Sequence, residues 1–344
     1  MNWKRVELFD ADAARVPAML GGSDAKQARD ALSFFATALV HQDTLAPGAA
    51  EVAPLLAEVA CAKTCMARGG LFVLLGTMAA DGAPLTMLRA SKAFRPVGAI
   101  AKATKACAAE AVARLEDKDA SVRSGAAFLL ASLQTKSAVP ALEARLARES
   151  NAIARGSLLI TLSLLAPAPH RRFNEALRSK DAVVRLGGLL GAAHEAPLSA
   201  QAKQVALALL DQKPVAGFPW KTGDVSGLAF DVLLRTAVRD GDASALVTLL
   251  ATRGRRVVDP LLDLLLPKRV AVAKLNEAQR QFLDALSADE ALYGSFNERL
   301  VTLGCLLLQK TRVDSWASPC PSPSTRSSSS TASRARSRRT FAKP

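Results

Sequence analysis

A chain of 344 residues that is half apolar can bury a substantial core, which excludes a disordered protein and suits one extended array or two ordinary domains. Aromatics supply only 5% of it while alanine and leucine are abundant, which favours all-α packing over sheets that lean on β-branched and aromatic residues. The formal charge of +14 divides unevenly: residues 315–344 hold Arg326, Arg334, Arg336, Arg338, Arg339 and Lys343 with no acid, leaving +8 for the rest, a balance that favours an anionic partner without requiring one.

The opening stretch, MNWKRVELFDADAARV, carries acids by Glu7 and no apolar core of a secretory signal, and the expected location is cytoplasmic. The longest apolar runs, GLFVLLGTMAA and GSLLITLSLLAPA, fall short of the roughly 18 to 20 residues a membrane span needs, so no membrane association is expected. The first predicted unit runs from RVPAML with Pro17, through SDAKQAR ending at Arg29, into DALSFFATAL. After VHQD at 40–43 a second unit follows, EVAPLLAEV with Pro54 and then MARGGLFVLLGTMA. Cys61 and Cys65 lie four apart on one helical face, a spacing open to a metal or redox pair. No histidine or second cysteine pair completes it, and small core residues are the expectation. Cys61, Cys65, Cys107, Cys305 and Cys320 make an odd, dispersed set that argues against a disulfide framework.

Residues 81–104 interrupt the pattern, and the stretch GAPLTMLRASKAFRPVGAIAKATKACAA, which starts at Gly82, holds Arg89, Lys92, Arg95, Lys102 and Lys105 without any acid, either a solvated connection or an anion-facing surface. The pattern then resumes strongly over 105–195. DASVR at 119–123 recurs as DAVVR at 181–185, with NAIAR ending at Arg155 between them, so the arginines stand 32 and 30 residues apart. MARGGLFVLLGTMA at 66–79 aligns without gaps to IARGSLLITLSLLA at 153–166. Arg29, Arg68, Arg123, Arg155 and Arg185 therefore occupy one repeated position. A proline precedes it by 12, 14 or 15 residues in three units, at Pro17, Pro54 and Pro140. Each unit reads as a first helix with an early proline, a short polar turn, and a second helix opened by the arginine.

This pattern resembles HEAT repeats, whose units carry an early proline, a turn aspartate and a Val-Arg pair at the start of the second helix; VHQD is similar to a feature of bacterial HEAT-repeat proteins of unassigned role. The resemblance implies a right-handed α-solenoid of roughly seven to eight antiparallel helix pairs over residues 1–312. It is best over 105–195, fair over 14–80 and weak over 200–312. It further implies a ladder in which turn acids such as Asp119 and Asp181 pair with the helix arginines of the same or the next unit. Asp119 or Ser121 can also cap the second helix, and Asp119 stands close enough to Arg123 for a local ion pair.

Beyond residue 200 the landmarks fade. DQKPVAGFPWKTGD at 211–224 sets Trp220 beside Lys221 among prolines and glycines, either a gripping loop for a peptide or base or a staple over helix ends. Arg253, Arg255 and Arg256 cluster before a predicted helix around Asp259 and offer another contact for an acidic or phosphate-bearing partner. The tail 313–344, rich in serine, arginine and proline, is expected to be disordered, and so abrupt a shift is also what a displaced reading frame would produce.

No nucleophile elbow, phosphate-binding Gly-Lys-Ser/Thr loop or His-Glu-x-x-His helix occurs, and the three histidines fall near predicted helix ends. Glu116 and Asp117 read as solvated turn acids. No catalytic residue, metal ligand or cofactor is assigned. Some HEAT-like proteins are DNA glycosylases with a basic concave groove, and others are bilin lyases, but their catalytic aspartate, stacking aromatics and chromophore-handling motifs find no match here. The expected function is a non-catalytic scaffold binding a protein partner on its concave face. The alternative is a nucleic-acid-binding solenoid using the basic stretches.

Overall fold

The computed structural model describes residues 24–41, 44–79, 98–166, 171–194, 197–253 and 275–288. Among these the chain is all-helical apart from one antiparallel pair of two-residue strands, β1 (Val40–His41) and β2 (Thr44–Leu45), which turns the chain back at the VHQD segment. The helices are α1 (Ala25–Leu39), α2 (Ala49–Cys61), α3 (Arg68–Ala79), α4 (Gly98–Ala106), α5 (Ala108–Arg114), α6 (Ala120–Ser132) and α7 (Val139–Leu146). They continue with α8 (Ala152–Leu165), α9 (Arg171–Ala176), α10 (Ala182–Ala192), α11 (Ala200–Leu209), α12 (Val225–Asp240), α13 (Ala243–Arg253) and α14 (Glu277–Ala288). The residues 1–23, 80–97, 254–274 and 289–344, with the Pro17 unit, most of the basic interruption and the serine-rich tail, lie outside the described residues.

Polar caps start the helices where the turns were read. The Asp119 carboxylate accepts the Ser121 amide at 2.8 Å, Asn151 accepts Ala154 at 3.1 Å and Asp224 accepts Gly227 at 2.8 Å. Each supplies an acceptor to an amide that has no intrahelical partner, at about 1 kcal/mol per cap. Asp181 holds the same extended backbone before α10 but makes no side-chain cap bond. Pro140 enters α7 in its first turn, whereas Pro54 sits inside α2 because that helix begins five residues earlier, at Ala49.

One row of helices packs in succession. α3 lies against α6, α6 against α8, α8 against α10 and α10 against α12, while α2, α5, α7, α9 and α11 each pack on the following member of that row. A helix with neighbours on so many sides must be apolar or small all round. That is the composition of α6 apart from Arg123, with every residue from Val122 to Ser132 buried. Residues 98–106 are helical as α4, which packs on α2 and buries Ile100, Ala103 and Thr104.

Glycines set the spacing of the buried row. A Cβ placed on Gly69 would stand 2.7 Å from the Ser121 carbonyl oxygen, and one on Gly156 would stand 2.7 Å from that of Val183. Both glycines directly follow a repeated arginine, and no larger residue fits between the backbones there.

Candidate functional site

The repeated arginines share one geometry. Arg68, Arg123, Arg155 and Arg185 each donate to the carbonyl six residues earlier, those of Ala62, Asp117, Glu149 and Ser179 respectively. Arg123 adds Lys118 at 3.0 Å, Arg185 adds Lys180 at 2.8 Å, Arg155 adds Leu146 at 3.2 Å, and Arg68 reaches Ala60 through Nε at 3.0 Å. A cation over the last carbonyls of the preceding helix and its turn satisfies acceptors that lack partners and complements the negative helix end. Arg29 is exposed on α1, and residue 23, six before it, lies outside the described residues.

Arg123 alone of these adds a buried carboxylate. Its Nε and Nη2 bind Glu149 at 2.6 and 2.8 Å in a two-pronged pair whose acid is fully buried. Arg145 meets the same acid at 3.0 Å, and the Asn151 amide donates to it at 2.9 Å. Burial alone would raise this carboxyl, but the hydrogen bonds from Arg123, Asn151 and Arg145, with the Arg123 charge, hold it below the usual carboxylate range. Arg145 and Arg148 also reach Glu116 across the unit boundary.

Two expectations change as a result. Asp119 does not pair with Arg123, because its carboxylate is turned onto the α6 amide end while the arginine runs beneath the turn toward Glu149. Glu116 and Asp117 are not merely solvated: Glu116 joins Arg145 of α7 and Arg148 just beyond it, and Asp117 accepts the Asp119 amide at 3.0 Å and meets Arg114 at 3.4 Å.

Trp220 is completely buried, which removes it from the candidate contact residues. Its ring meets Phe128 edge-on with centroids 5.0 Å apart, and its indole N–H donates to Ser157 Oγ at 3.1 Å. Ser157 in turn shares a 2.7 Å hydrogen bond with Ser124, so the polar atoms in the α6–α8 seam are satisfied. The loop is locked behind the ring: Val215 donates to Gly223 at 2.9 Å, and Lys221 and Thr222 hold positive φ of 46° and 53°. Such backbone costs of order 1–3 kcal/mol per residue and persists only where its surroundings enforce it. Lys221 is paired with Asp231 at 3.0 Å. The reason is burial: an indole this large gains more against Phe128 than in water once its N–H has an acceptor.

The basic candidates are only partly on view. Lys102 and Lys105 are exposed on α4. Arg89, Lys92, Arg95, Arg255 and Arg256 lie outside the described residues, and Arg253 ends α13 with its side chain likewise outside them. Lys102 stands at a cavity of about 570 Å³ between α2 and α4, lined also by Pro54, Ala57, Glu58, Cys61 and Cys107. The Cys61 and Cys107 sulfurs are 3.4 Å apart there, so Cys61 turns to a cysteine 46 residues away rather than to Cys65. Spacing alone could not reveal that pair, nor Glu149 as the partner of Arg123. The glycines after the arginines were visible in the alignment but carry meaning only once the backbones are seen to touch.

Among the described residues no group of three or more metal-binding side chains converges, and no helix is long and apolar enough to cross a membrane. No protein-family model matches this chain, and no curated protein matches it.

Proposed function

We propose that the chain is a right-handed HEAT-like α-solenoid of roughly seven to eight helix pairs that serves in the cytoplasm as a non-catalytic scaffold for a protein partner. The observation that carries this reading is the arginine-to-carbonyl bond six residues back, repeated at Arg68, Arg123, Arg155 and Arg185 on successive members of one helix row. A device repeated at the turn of each unit supports a stack of similar units, and such stacks bind by extended shape complementarity along the row. Trp220 already covers the row at α6 and α8, and the partner's contacts fall on stretches it leaves clear.

Affinity capture with the full chain, with and without nuclease, tests the reading. A stoichiometric protein that survives nuclease, and whose affinity once purified barely changes between low and high salt, supports it. Loss of all bound material on nuclease treatment refutes it.

The second reading, a nucleic-acid-binding solenoid, is favoured by the exposed Lys102 and Lys105 on α4, a helix without any acid. It requires affinity for a duplex or single strand to fall steeply with salt as phosphate contacts release counterions.

A further inference from the structure

Two thiols from sequence-distant helices meet where α2 packs on the α4–α5 junction. Cys61 closes α2, Cys107 sits between α4 and α5, and their sulfurs stand 3.4 Å apart. The two are not equivalent. Cys107 is fully buried, with the Ala57 carbonyl as a distant acceptor at 3.5 Å. Cys61 is half-buried and lines the open cavity of about 570 Å³, whose wall is otherwise apolar apart from Glu58 and Lys102. Both cysteines line the cavity, and the more exposed Cys61 is the sulfur a small, uncharged oxidant meets first, with the Cys107 sulfur directly against it.

We propose that Cys61 and Cys107 form a reversible dithiol–disulfide site, oxidised by a small peroxide that enters through the α2–α4 cavity. Cys61 attacks the peroxide O–O bond as its thiolate, taking one oxygen as sulfenic acid and releasing the other as water. Cys107 then attacks that sulfur, an S–S bond forms as the S–O bond breaks, and the departing hydroxide leaves as water with the Cys107 proton. Two thiols and one hydrogen peroxide give one disulfide and two waters. Burial, followed by the hydrogen bond from Cys61, pushes the Cys107 thiol up. The product staples α2 to the α4–α5 pair and narrows the cavity between them.

The full-length protein, first reduced and freed of reductant, is incubated with hydrogen peroxide, alkylated and mapped by mass spectrometry after proteolysis. The expected result is a Cys61–Cys107 linked peptide within one chain, reversed by dithiothreitol, with a melting temperature raised by roughly 5 °C. In Cys107→Ser, Cys61 should instead accumulate as a sulfenic acid trapped by dimedone. The wild-type map decides even where that variant folds poorly. Both cysteines remaining open to alkylation after oxidation, or Cys61 linked to Cys65, overturns the proposal. A Cys61–Cys107 link that leaves the melting temperature unchanged overturns the staple.

Discussion

Breaking the Arg123–Glu149 pair tests whether the buried joint between two units holds the row together. Glu149 is fully buried, and its two oxygens engage Arg123 at 2.6 and 2.8 Å, so removing one partner strands a charge away from water. Stranding an ion in this way costs about 3–5 kcal/mol. Each survivor keeps some company: Arg123 retains the Asp117 and Lys118 carbonyls, and Glu149 retains Arg145 and the Asn151 amide. Arg123→Met and Glu149→Leu should therefore each fall at the low end, about 3 kcal/mol.

The double variant exchanges the pair for apolar contact and should lose less than the two single losses together, with a coupling of about 2 kcal/mol. Urea unfolding gives the totals, and hydrogen exchange of the α6 and α8 amides gives the local effect. At 1.4 kcal/mol per decade, a 3 kcal/mol loss opens those amides roughly a hundredfold more often. Additivity of the two substitutions within about 0.5 kcal/mol would refute the reasoning, since contacting residues in one network do not behave independently.

The same acid sets a pH limit. Its folded carboxyl lies below the unfolded value of about 4.3, so its contribution is present above that pH and is lost as pH falls through the folded pKa. The stability gap between wild type and Glu149→Gln should be wide at neutral pH and narrow once the acid is protonated, as urea midpoints across that window would register. Gly156→Ala should lose about 1–3 kcal/mol, because its Cβ would stand 2.7 Å from a carbonyl oxygen of the next helix. Gly98→Ala, with open space at its Cβ, should gain a few tenths to about 1 kcal/mol; equal melting of the two variants would count against the close approach. Trp220→Ala should lose about 3–5 kcal/mol and remove a blue-shifted fluorescence component resistant to iodide quenching. Full retention of that component would place the buried indole elsewhere.

What could be read in the chain, and what could not, follows from the range over which each feature is determined. Helix caps are local: Asp119, Asn151 and Asp224 act on amides two or three residues ahead, so a turn acid before an apolar run is enough to place them. The arginine position is also local, since its carbonyl acceptor lies six residues back whatever the neighbouring unit does. Repetition then makes one local rule visible several times. What spacing does not show is a partner far along the chain. Arg123 had Asp119 at helical spacing and took Glu149, 26 residues on; Cys61 had Cys65 and took Cys107.

Trp220 shows the physical reason with least ambiguity. Its flanking prolines and glycines describe a loop correctly, yet the ring travels 63 residues back along the chain to Ser157. No periodicity encodes that journey, because it is decided by the volume left between α6 and α8 once those helices have packed. Phe128 supplies an apolar wall, Ser157 supplies an acceptor for the indole N–H, and the strained backbone at Lys221 and Thr222 is the cost of reaching both. A loop that accepts strain to fill the row from behind acts as part of the core. The packing of the row is therefore set as much by this non-repeating segment as by the recurring arginines and glycines.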